Sequence, residues 1–355
     1  MSLKKKFQLK AYEFLSRNKK LDSMMQKYAQ VKVKDIPKAQ HEKKFPFIVA
    51  ITVDTESGYV EKDEKRTWQR EAPKAFIGFY RGIENWRKVL NKYDAKATFF
   101  CSSQCFDAKG HELDAALLQL NLLINDKHEI GLHIHPLGDL ALQKETKENY
   151  EHTSAKFFDF PTKKKILSAS RKLFMDHLTR LRSIKSFRWG NWGLDTECVK
   201  ILEELEFNLD SSATPGIKGH LDDDMYFDWS KVETNYPWYL SKADYQDTKT
   251  EDSRILEIPI ATYSYLGMTL RADPVNLQSL MSAFNYYHEN ADRSKKPFVF
   301  VIISHSPEGT YKDGSPTKVL ATMEDFIIHA KEFKDVKFET MKSAYSELNP
   351  KFSRN

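Results

Sequence analysis

The chain has 355 residues, of which 41% are hydrophobic, 30% charged and 13% aromatic, enough apolar material for one large domain or two small ones. Its formal charge of +5 is unevenly placed: residues 1–44 hold 13 Lys/Arg against 4 Asp/Glu, which leaves the remainder net negative. That distribution argues against a nucleic-acid-binding core, whose positive stripe would have to lie on the folded domain.

Cys101, Cys105 and Cys198 are too few for a disulfide framework and fit a reducing compartment. The leading segment has no apolar stretch of signal-peptide length, and no run of 18 apolar residues occurs. The expectation is a soluble, cytoplasmic protein.

Phe7, Ala11, Phe14, Leu21, Met25 and Tyr28 stand at helical spacing among lysines, which predicts an amphipathic basic helix over 7–28. Such a helix packs on the main domain or a partner subunit, or attaches the chain to an anionic membrane surface. Residues 29–44, with Pro37, read as a linker, and the main domain is expected over 45–349.

From Phe45 onward short apolar strands alternate with helical stretches. Strands are predicted at 47–54, 97–102, 129–135, 186–190, 208–212, 255–261, 298–304 and 336–340, and helices at 75–93, 112–125, 163–181, 195–206, 274–290 and 318–333. This alternation implies parallel pairing with helices outside, an α/β fold whose seven or eight strands close into a distorted (β/α) barrel. The segment 214–254 is too long for an ordinary loop and reads as a lid or insertion.

The active site of such a barrel lies at the C-terminal strand ends. The first strand ends in Val53-Asp54-Thr55-Glu56, and alternation puts Asp54 and Glu56 on one face. Two carboxylates there can divide the work of base and metal ligand, or simply begin a solvated loop. The third ends in His133-Ile134-His135, whose imidazoles share a face and can hold one cation. One acid with two histidines and open positions is a ligand set of catalytic divalent metals.

The next strand brings Arg188, which can pair with a catalytic carboxylate or form a rim salt bridge, and Trp189 and Trp192, which can stack on a sugar or fill core. Asp210, Ser211 and Ser212 line the pocket or cap a turn. His305 ends a strongly apolar strand, where it can protonate a leaving amine.

Val-Asp-Thr-Glu, Ala97-Thr-Phe-Phe, His128-Glu-Ile-Gly-Leu-His-Ile-His-Pro, Phe-Arg-Trp-Gly, Leu209-Asp-Ser-Ser, Leu256-Glu-Ile-Pro and Ile303-Ser-His305, in this order, resemble the polysaccharide deacetylase family. This is the NodB-homology group, carbohydrate esterase family 4, and the likeness spans about residues 45–345. The resemblance implies a divalent metal, commonly zinc, and hydrolysis of N-acetyl groups on sugars. By it Asp54 is the base, Glu56 the metal-binding acid, His133 the first histidine ligand, Arg188 the residue holding the base and His305 the acid.

The family's second histidine lies four residues after the first, where this chain has Leu137. Either His135 serves on a different backbone path or the site is weakened or lost. The expected activity is thus amide hydrolysis on an amino sugar. Alternatives are deformylation or another amide hydrolysis on a nucleotide- or lipid-linked sugar, cyclic-amide hydrolysis, a non-catalytic carbohydrate-binding protein with a decayed metal site, or, more weakly, a glycosidase using Asp54 and Glu56. A partner that is a carbohydrate or sugar conjugate follows from the resemblance.

Overall fold

The computed structural model describes residues 43–61, 75–221, 225–265 and 267–349, so the helix expected over 7–28 lies outside the described residues. Strand β1 (Phe47–Thr55) pairs in parallel along its whole length with β12 (Phe298–His305) on one side. On the other it pairs with β2 (Ala97–Ser102) at its C-terminal half and β13 (Val336–Phe338) at its start.

The sheet continues in parallel through β3 (Glu129–Ile134), β4 (Ser186–Trp189), β5 (Leu209–Asp210) and β9 (Leu256–Glu257), with β8 (Trp238–Tyr239) antiparallel at the edge. A bridge between Ile260 and Val301, with Ala261 N–H donating to Val301 O, joins the β9 side back to β12. Seven parallel strands, with β13 an eighth alongside β1, thus curl into a distorted (β/α) barrel with one thin seam.

Alternation along the strands divides the core in two. Ile48 and Ala50 of β1 point inward and meet Leu209, Leu256, Ile258, Val299, Val301 and Ile303, with Met341 and Ala344 of α8 (Met341–Leu348) plugging the N-terminal end. Phe47, Val49, Ile51 and Val53 point outward into the larger cluster under the helices. These are α1 (Ile83–Lys92), α2 (His111–Asn125), α3 (Leu140–Thr146), α4 (Phe160–His177), α5 (Thr196–Glu204), α6 (Leu277–Asn290) and α7 (Lys318–Ala330). The inward face of β1 therefore runs Ile48, Ala50, Thr52, Asp54 and then Glu56, from apolar to ionisable as it nears the C-terminal end.

Helix starts follow capping chemistry. Asp195 accepts from Cys198 N–H ahead of α5, as the acidic start of that segment predicts, and Asp139, Asp159 and Asn276 cap α3, α4 and α6. The segment 214–254 is not featureless: it holds the hairpin β6–β7 (Lys218–Leu221, Met225–Asp228) and β8. A second hairpin, β10–β11 (Thr262–Tyr265, Met268–Arg271), rises from the barrel seam. None of its helix-length or loop-length signals marks it in sequence.

Candidate metal centre

Glu56, His133 and His135 come together at the C-terminal end of the barrel, all buried. Glu56 Oε1 lies 2.8 Å from His135 Nε2 and 3.4 Å from His133 Nε2, and the two Nε2 atoms are 3.0 Å apart. Three ligands at metal–ligand bonds of about 2.0–2.2 Å in a tetrahedral arrangement stand roughly 3.3–3.5 Å from each other. The Glu56–His133 separation of 3.4 Å falls in that range, and the other two, 2.8 and 3.0 Å, are somewhat shorter.

The protonation pattern points the same way. His133 Nδ1 is 3.1 Å from the carbonyl oxygen of Arg188, which can only accept, so the proton sits on Nδ1 and Nε2 presents a lone pair to the triad. One proton on His135 Nε2 cannot serve both Glu56 Oε1 and His133 Nε2 well, whereas a divalent cation satisfies all three lone pairs. The donor set therefore fits a metal ion.

His135 reaches the triad because Gly190 leaves it room. A Cβ on Gly190 would lie 2.7 Å from His135 Cε1 and Nδ1 and 2.3 Å from Ile134 O. Leu137, where the family carries its second histidine, is 41% exposed and points away. On the β1 side, Glu56 is fixed by its backbone N–H donating to Ser306 Oγ at 3.1 Å, which ties the acid to the segment after β12.

Asp54 is held separately from the triad. Its Oδ1 accepts from Arg188 Nη1 at 2.7 Å, while Oδ2 faces His133 Nε2 at 3.8 Å. Arg188 is fully buried, yet its guanidinium is well satisfied: Nη1 also donates to Thr52 Oγ1, Nε to Ser211 O and Nη2 to Ser211 Oγ. Phe100 lies beneath it, 4.3 Å from ring centroid to guanidinium carbon. Asp54 is the carboxylate that pairs with this buried, fully bonded cation.

His305 lies beside Asp54 in the β1–β12 register. Burial disfavours its charged form, but the hydrogen bond and charge of Glu308 outweigh this, with help from Glu56 and Asp54, and its pKa is raised above the ordinary imidazole value. Glu308 Oε2 accepts from Ser304 Oγ at 2.6 Å and His305 N–H at 2.9 Å, and lies 3.4 Å from His305 Nδ1. Sequence reasoning missed Glu308. Its signal was Pro307 followed by an acid in the first turn of a short helix, a position from which a carboxylate reaches back to the preceding N–H.

Three expected pocket residues stand elsewhere. Trp189 is fully buried, donates from Nε1 to Thr153 O at 2.8 Å and belongs to the outer core, so it offers no face to a sugar. Asp210 is also fully buried; alternation turns it away from the Arg188 side toward Glu257 and Ser212. Burial raises both carboxyl groups, and the Asp210 charge drives Glu257 higher still. Trp192 remains partly exposed, but the Arg271 guanidinium covers its ring at 3.7 Å. Asn191 and Trp192 both have positive φ, 51° and 57°, a sharp reversal directly after Gly190.

No protein-family model and no curated protein matches the sequence. Solved structures do match. One is designated a polysaccharide deacetylase from Mycobacterium smegmatis, 16% identical with a TM-score of 0.55, covering 90% of this chain and 94% of that one. A polysaccharide deacetylase from Pseudomonas aeruginosa PAO1 matches at 13% identity and a TM-score of 0.54, over 87% and 93%. The allantoinase Puue matches at 12% identity and a TM-score of 0.56, over 90% and 96%. The (β/α) barrel of this chain is the fold of the polysaccharide deacetylases.

Proposed function

We propose that the protein is a metal-dependent amide hydrolase that removes an N-acetyl or related acyl group from an amino sugar. The observation that carries this reading is the convergence of Glu56, His133 and His135 within 2.8–3.4 Å of each other, beside an Asp54 whose position an internal arginine fixes. A divalent cation such as zinc, held by Glu56, His133 and His135, would supply Lewis acidity toward the acyl carbonyl and toward water.

The chain's own residues supply the proton transfers. Asp54 accepts a proton from water at Oδ2, the oxygen that Arg188 leaves unoccupied by its 2.7 Å bond to Oδ1. Arg188 holds that carboxylate in one rotamer, so the base is available without rearrangement. His305, protonated through Glu308, gives a proton to the departing amine. Burial of Asp54, Glu56 and His133 excludes bulk water and strengthens each charge interaction.

A carbohydrate or sugar-conjugate substrate rests on the sequence motifs together with the fold. The likeness to the allantoinase supports a second reading, hydrolysis of a cyclic amide by the same residues. Acetate release from N-acetylglucosamine oligomers, run in parallel with ring opening of allantoin, separates the two. Loss of either activity on adding dipicolinate, and its return with zinc, supports metal dependence. Activity indifferent to the chelator removes it.

A further inference from the structure

Nη1 of Arg188 carries two N–H bonds, and both go to the inward face of β1. One reaches Asp54 Oδ1 at 2.7 Å and the other Thr52 Oγ1 at 2.9 Å. Thr52 stands two residues before Asp54 on that face and is fully buried. Its hydroxyl proton is already committed, since Oγ1 donates to Ile302 O of β12 at 2.7 Å. Toward Arg188 it can therefore only accept.

The other edge of the guanidinium is filled in the same way. Nε donates to Ser211 O at 2.8 Å and Nη2 to Ser211 Oγ at 3.0 Å, while Ser211 Oγ gives its own proton to Ile258 O at 2.8 Å. An open guanidinium edge is what a carboxylate takes as a bidentate pair. Asp210 and Glu257 lie close enough for the Arg188 charge to act on both carboxyls. Neutral oxygens of Thr52 and Ser211 occupy the donors that would otherwise turn toward them, and Asp54 is the acid that Arg188 bonds.

We propose that Thr52 is a positioning residue for the base. By taking one N–H of Nη1 it fixes the rotation of the guanidinium, so that the other N–H is aimed at Asp54 Oδ1 and Oδ2 is left for the proton of water. Ser211 does the same from the opposite edge. The inference deepens the proposed hydrolase activity and rests on it for the role of Asp54, whereas the aim of Arg188 can be read without turnover.

Two substitutions separate the hydroxyl of Thr52 from its methyl group. Thr52→Val keeps the shape and removes Oγ1; Thr52→Ser keeps Oγ1 and removes the methyl. With N-acetylglucosamine oligomers as substrate, Thr52→Val is expected to lower kcat roughly 100-fold at unchanged KM, the cost of a catalytic group displaced by about 1 Å, while Thr52→Ser stays near native. In the Asp54→Asn background Thr52→Val should cost nothing further, because a positioning residue acts through the group it positions. Crystal structures of the two variants should show the Arg188–Asp54 contact shifted or broken in Thr52→Val and intact in Thr52→Ser. Should Thr52→Val fail to fold, Ser211→Ala, which removes only the Nη2 acceptor, takes its place with the same expected loss of kcat. A loss in Thr52→Ser as large as in Thr52→Val, an Arg188–Asp54 contact unmoved in Thr52→Val, or an equal further loss in the Asp54→Asn background would each overturn the proposal. A native chain that releases no acyl group would count against the hydrolase reading, and the crystal structures would then decide by themselves whether Thr52 aims Arg188.

Discussion

Gly190 and His135 are packed so closely that one methyl group on Gly190 would sit 2.7 Å from the imidazole. The glycine directly follows β4 and the histidine directly follows β3, so the orientation of His135 is set by the segment leaving a neighbouring strand. Gly190→Ala is expected to push the ring off the triad and weaken divalent-metal affinity by about 10–100-fold, the range for lost supporting contacts. Competition with a fluorescent zinc chelator measures this, with circular dichroism checking that the fold survives.

Asp54 and the triad share a face, and the proposed mechanism gives them different roles. Asp54→Asn is expected to keep the metal and lower kcat by roughly 10²–10⁴-fold, as for loss of a general base. Metal content and turnover measured on one preparation test this; equal loss of both would make Asp54 a ligand.

Arg188 neutralises the same carboxylate. Replacing it with Met leaves Asp54 buried without its partner, which costs about 3–5 kcal/mol. Urea unfolding is expected to show a lower midpoint at unchanged slope.

The pH profile should report on Glu308. An acid that protonates the leaving amine must be charged beforehand, so kcat/KM falls as pH rises through the His305 pKa. Glu308 is what raises that pKa against the pull of burial. Glu308→Gln is therefore expected to move the alkaline limb of kcat/KM to lower pH while the acidic limb stays in place.

Leu137 tests the ligand spacing. It faces solvent while His135 faces Glu56, so His135→Ala combined with Leu137→His is expected to bind metal no better than His135→Ala alone. Isothermal titration with zinc distinguishes the two; recovery of affinity would mean the loop after β3 can return to the wider spacing.

Much of this was legible before any coordinates. The strand periodicity and the helix alternation gave the barrel, because a parallel sheet buried on both faces reads as apolar runs such as Phe47–Val53. Period-two spacing put Asp54 with Glu56 and His133 with His135. What escaped depends on long-range packing. Glu308 matters only because its helix turns back on His305, and Gly190 only because a ring from another strand lies over it. Trp189 looked like a sugar platform since a tryptophan beside a glycine at a strand end is ambiguous, and only strand alternation sends it outward. Asp210 caps the turn through Ser212, the other role open to it in sequence; its strand is two residues long and shows no period that would choose between them. The short helices α3 and α8, and the β10–β11 hairpin, lie below the length at which periodicity is readable.

The central claim is that one acid and two imidazoles grip a single ion. Elemental analysis of the purified full chain, compared with His133→Ala prepared alongside it, addresses this most directly. The account expects about one divalent metal per chain in the native protein, by the donor count of a closed Glu/His/His set, and almost none in the variant. A native chain that hydrolyses its substrate while carrying no metal, or a variant that keeps it, would contradict the account.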